Sequence, residues 1–136
     1  IRMKCEEELI QIRNHQLEEK TFSWEAEREI LATDHAEVGG WLAKCWFLPD
    51  KLSEPIAFHH DVTQSVNHRV KASVVHVADA LIKASGFGDS GDNLVPRIQR
   101  EAWDILRISD QQLSEIIEEM EDKLIEVKNF SLELQA

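Results

Sequence analysis

Leu113, Ile116, Ile117, Met120, Leu124 and Val127 fall at helical spacing, three or four positions apart except for the adjacent Ile116-Ile117, with no Gly or Pro between them. A strand would send about half of such a set to its opposite face, whereas a helix gathers them into one stripe. Val70, Val74, Val77 and Leu81 repeat the pattern upstream. Five Gly and three Pro leave little material for the turns of an all-β fold, and Leu, Glu, Ala, Ile and Lys favour helix. The chain therefore reads as all-α. At 136 residues it fits one domain, 1–136, long enough to bury a core.

The breaks between helices follow from local chemistry. A first helix spans about 2–20, with Cys5, Leu9 and Ile12 on one side, and stops at Thr21. Ser23 is the expected N-cap of a second helix that ends near Thr33. Asp34 then caps a third, with Glu37 three residues on as in a capping box. Its expected apolar face is Val38, Leu42 and Cys45. Gly39-Gly40 inside it costs about 1 kcal/mol per residue relative to Ala, which close approach of another backbone offsets. A fourth segment covers 50–60, with Pro55 tolerated in a first turn starting near Ser53. After a polar loop at 61–67, helices follow at 68–85, capped by Gly86, at 97–106, and at 110–127 behind Ser109 as N-cap. The Gly-rich stretch 86–93 is a surface loop. It lacks the following Lys-Ser/Thr and the preceding strand of a phosphate loop.

Fifteen basic against 26 acidic residues give a formal net charge of −11, which repels phosphate backbones and anionic lipid. Nucleic acid and membrane surface are thus excluded as expected partners, and no apolar run reaches the roughly 20 residues of a membrane span. Cys5 and Cys45 form no C-x-x-C pair and read as structural thiols of a reduced, cytoplasmic chain.

Six histidines remain to be placed. His15 and His68 sit among polar residues and read as solvent-facing. His35 lies three residues before Val38, and His59 and His60 lie three and four after Ile56, so periodicity points them inward. Asp79 lies on the flank of the 68–85 helix, with His76 three residues before it, placed to orient it or be oriented by it. Imidazole and carboxylate from three helices suit a divalent transition metal, Fe, Mn or Zn. The competing reading is a set of hydrogen-bonded core residues, which is the commoner fate of one His on an apolar face. No Ser or Cys stands in a nucleophile context.

Four separated motifs carry a family resemblance: Glu-Ile-Leu-x-x-Asp-His-Ala-Glu-Val-Gly-x-Trp-Leu-Ala at 29–43, Trp-x-Leu-Pro at 46–49, Ile-x-x-His-His at 56–60 and His-Val-Ala-Asp-Ala-Leu at 76–81. In order and spacing they resemble the HDOD family, a divergent branch of the HD phosphohydrolase superfamily found in bacterial signalling. The resemblance implies an HD-like helical bundle, of which the chain is the C-terminal portion with the upstream half absent. It also implies a non-catalytic output or scaffold module that acts through protein partners. The HD-GYP phosphodiesterases, similar in layout, imply His35, His59, His60 and Asp79 as metal ligands, although Val62 to Asn67 replace their Gly-Tyr-Pro segment. Two functions stand: a signalling scaffold whose metal centre is degenerate or structural, and a metal-dependent phosphohydrolase acting on a ligand such as a cyclic dinucleotide.

Overall fold

Short helices joined by tight turns need partners, because few isolated helices of this length hold in water. In a computed structural model that describes residues 6–88 and 94–133, they find those partners mainly as neighbours along the chain. The described elements are α1 (Glu6–Glu19), α2 (Ser23–Leu31), α3 (His35–Cys45), α4 (Asp50–Phe58), a 3-10 turn (Val62–Gln64), α5 (Arg69–Ser85), α6 (Arg100–Leu106) and α7 (Asp110–Glu133). These seven α-helices, with no strand among the described residues, make the protein all-α. Cys5 and residues 89–93 of the Gly-rich stretch lie outside the described residues.

α1 packs on α2, α3 on α4, and α4 and α6 on α5. The core is built largely from methyl groups. Ala26, Ala36, Ala43, Ala72, Ala80 and Ala102 are buried, beside Ile12, Val62 and Val77. Leu81, Ile98, Trp103 and Leu106 close over Val62, Ala72, Val77 and Ala102 where the 3-10 turn meets α5 and α6.

Small residues decide which face of each helix turns inward, and this departs from the hydropathy reading. In α3 the buried positions are Ala36, Gly40 and Ala43, while Val38 and Cys45 are exposed. A Cβ on Gly40 would stand 2.6 Å from Ala57 Cβ, and one on Gly39 would stand 2.8 Å from Ile56 Cγ2, so α4 does approach closely there. In α5 the inward residues are Ala72, Ser73, His76, Val77 and Ala80, while Val70 and Val74 face out. Leu9 of α1 is exposed, and Ile12 and Gln16 take its place against the neighbour. The α7 stripe is not core: none of its residues 110–130 is buried, and Leu113, Ile117, Met120 and Leu124 are only half-covered.

The caps follow the expected chemistry with small shifts. Asp34 Oδ1 accepts the Glu37 N–H at 2.8 Å, but the Glu37 carboxylate turns to the Thr33 hydroxyl, so the capping box is half-formed. Ser109 and Gln112 complete a reciprocal box, with Ser109 Oγ accepting the Gln112 N–H and Gln112 Oε1 accepting the Ser109 N–H. Phe22, rather than Ser23, is the N-cap residue of α2, and Glu25 accepts its N–H. Gly86 ends α5 at φ 66°. α4 begins a turn earlier than expected, at Asp50 behind Pro49, so Pro55 is interior to it and buried. The missing N–H there leaves one helical carbonyl without its usual donor.

Candidate metal centre

Three imidazoles converge where the start of α3 meets the end of α4. Asp34, fully buried at the α3 N-cap, fixes the entry of His35 into the helix. Its Oδ2 accepts Arg28 Nε at 2.6 Å. Burial works to raise this carboxyl, but the Glu37 N–H, Arg28 and the Ala36 N–H outweigh it and hold Asp34 below the usual range. Arg28 also lies over the Trp24 ring, 4.9 Å from its centroid. α2 thus holds the first turn of α3.

His35 is oriented by a residue that periodicity does not reveal. Glu27 Oε2 accepts both the His35 backbone N–H, at 2.8 Å, and its Nδ1–H, at 2.7 Å. This leaves Nε2 as the ring's outward position. At the other side, His59 and His60 follow the last residue of α4. His59 Nδ1 donates to the Ile56 carbonyl at 2.9 Å, the ordinary use of an unpaired C=O at a helix end. The His60 ring stacks on Trp24, with centroids 5.5 Å apart, and meets His35 edge-on. His60 Nε2 lies 2.8 Å from His35 Nε2.

One donor atom from each of His35, His59 and His60 falls within 4.8 Å of the others, so the three could hold a metal ion. The donor set fits one. Nδ1 of His35 and of His59 is committed to an oxygen acceptor, which orients a ligating imidazole through its second nitrogen. Neutral imidazole nitrogen suits Zn or Fe, whereas Mn favours oxygen donors.

The electrostatics of the three rings differ. The Glu27 hydrogen bond raises His35 above its ordinary value, against the opposing effect of burial. Burial lowers His59. Burial, followed by the neighbouring His59 and His35 rings and the Lys83 ammonium, pushes His60 down to about 3. The 2.8 Å contact needs one proton between the two Nε2 atoms. An ion bound by both nitrogens displaces that proton.

Asp79, the fourth ligand expected from sequence, stands outside this group. Its Oδ2 is 3.0 Å from Lys83 Nζ one turn along α5, and Lys83 is nearly buried. The pair is readable as an i, i+4 couple, and its effect is to place an ammonium beside the imidazoles. His76 does not serve Asp79 either, since both of its ring nitrogens are engaged elsewhere: Nδ1 with the His59 carbonyl and Nε2 with the Gln99 N–H. His15 is half-buried, 3.0 Å from the Glu29 carboxylate, and His68 is half-buried before α5 with its N–H on Glu54. Neither is simply solvent-facing.

His60 is a shared wall. On one side is a cleft of about 530 Å³ with Arg28, Trp41, Lys44 and Gln64, and on the other one of about 290 Å³ with Trp24, Asp79 and Arg97. Among the described residues no helix is long and apolar enough to cross a membrane.

In comparison with known proteins, residues 1–62 match the family model of the HDOD domain. No curated protein and no solved structure matches the chain.

Proposed function

The match over residues 1–62 supports the HDOD family for this chain, an HD-related output domain in general terms, and on that premise we propose that it is a bacterial signalling module that works through protein contacts. In this reading His35, His59 and His60 hold one divalent transition ion as a structural centre. The observation that supports it is the convergence of His35, His59 and His60, a cluster that among the described residues includes no carboxylate while Asp79 pairs with Lys83. A bound ion supplies Lewis acidity in principle. The chain's own residues add the Lys83 ammonium beside the imidazoles.

The phosphohydrolase reading has one observation in its favour. The 530 Å³ cleft beside His60 places Arg28 and Lys44 near the imidazoles, although Glu37 and Asp61 line it too. Metal analysis of the purified protein, paired with hydrolysis assays on cyclic dinucleotides, separates the two. The scaffold reading expects a single ion per chain, lost in His60→Ala, with no turnover in either protein. Turnover that disappears in His59→Ala and His60→Ala overturns it in favour of the hydrolase. Protein that takes up no Zn, Fe or Mn removes the metal centre altogether.

A further inference from the structure

Carbonyls beyond a helix end have no partner within the helix and are ordinarily left to water or to a cap. Those of His59 and His60 are met instead by two residues far along the chain. The buried His76 of α5 donates Nδ1–H to the His59 carbonyl at 2.7 Å. Gln99, immediately before α6, donates its amide Nε2–H to the His60 carbonyl at 3.1 Å and accepts the Val62 N–H on Oε1 at 3.0 Å. Gln99 thus grips the backbone on both sides of Asp61. The two are joined to each other, because the Gln99 backbone N–H donates to His76 Nε2 at 3.0 Å.

The network has one consistent arrangement of protons. His76 Nε2 accepts, so its single hydrogen is on Nδ1, where the His59 carbonyl needs a donor. An imidazolium at His76 would lose the acceptor that receives the Gln99 N–H. The Gln99 amide is fixed in the same way: a carbonyl on one side needs its NH₂, and an N–H on the other needs its oxygen. Nothing here touches the imidazole rings at the centre. What is held is the main chain that carries two of them.

We infer that His76 and Gln99 are positioning residues for the His59-His60 pair, fixing through its backbone the approach of His60 to His35. Their role as supports of a metal centre rests on the metal reading above, but the approach of the two rings does not. The network also ties the pair to α5 and to the entry of α6, elements that supply no imidazole to the cluster.

NMR and Zn²⁺ titration of the whole chain test this. In the metal-free wild type, ring ¹⁵N shifts are expected to show His76 as the neutral Nδ1–H tautomer, with a ring-to-ring nuclear Overhauser contact between His35 and His60. Gln99→Met, nearly isosteric, is expected to keep cooperative unfolding and to lose that contact. Zn²⁺ affinity by chelator competition should fall about 10- to 100-fold, the usual effect of removing an outer-shell partner. His76→Phe should do the same, and His76→Asn, which keeps a donor near the Nδ1 position, should recover part of it. A Gln99→Met protein with the wild-type ring contact overturns the inference, whatever its stability, as does a His76 in the Nε2–H tautomer. If His76→Phe does not fold, Gln99→Met decides. If the wild type binds no Zn²⁺, the metal reading fails, while the ring contact and the tautomer still decide the positioning role.

Discussion

At the scale of single residues, the centre is set by which nitrogen of each ring is already engaged. Glu27 determines this for His35 and raises its pKa. A raised histidine favours folding below the unfolded value near 6.5, and that contribution is lost as pH rises through the higher folded value. His60, lowered to about 3, acts in the opposite sense: its contribution is present above the unfolded value and is lost as pH falls below it. Glu27→Gln is expected to move the His35 titration down in an NMR pH series and to cost about 1 kcal/mol, discounted because His35 is half exposed. An unchanged His35 titration would mean that Glu27 does not orient the ring. The imidazoles themselves were legible in the sequence because few other uses exist for a His doublet after an apolar run. Glu27 and Gln99 were not, since their partners lie 8 and 39 residues away and no periodicity links them.

At the scale of the helices, the sequence announces that each one forms but misdirects as to its inner face. Hydropathy weights Val38, Val70 and Val74, all of which face outward, while Ala36, Gly40 and Ala43 make the α3–α4 contact. The reason is distance. Helices that meet through methyl groups approach until their backbones nearly touch, and a large side chain has no room there. The Gly39-Gly40 pair was the visible clue, because its helix cost needed a compensating approach. Gly40→Ala therefore sets a gain of about 1 kcal/mol in helix propensity against overpacking on Ala57 of about 1–3 kcal/mol. Urea unfolding should show a net loss, larger than for Gly39→Ala, whose added Cβ meets the Ile56 Cγ2 methyl but no backbone atom. Equal effects at both positions would contradict the close packing described.

At the scale of the molecule, one carboxylate of α4 anchors the loop that leads into α5. Glu54 accepts the Ser65 hydroxyl at 2.6 Å together with the backbone N–H groups of Asn67 and His68, so it holds the loop that enters α5. The Ser65 hydrogen bond, with those N–H groups, holds Glu54 down at about 2. The stability it contributes is present above the unfolded value near 4.5 and is lost as pH falls toward about 2. Glu54→Gln is expected to cost about 2 kcal/mol at neutral pH and to flatten the acid limb of the stability profile, read by urea unfolding at several pH values. An acid limb identical to that of the wild type would show that another group controls it. Glu54 is polar on a short helix and gave no sign of this role in the sequence, because the loop it binds has no regular period.

The alanine interior has a consequence of a different kind. Alanine has no side-chain torsion to freeze, so burying it costs no rotamer entropy, and it also removes little apolar area from water. With Ala26, Ala36, Ala43, Ala72, Ala80 and Ala102 as most of its fully enclosed apolar residues, the fold gains less from water release than a leucine core would and gives up less disorder in forming. The heat capacity of unfolding follows apolar area. A core of this make therefore gives a stability that varies gently with temperature, as a property of how closely the helix axes approach.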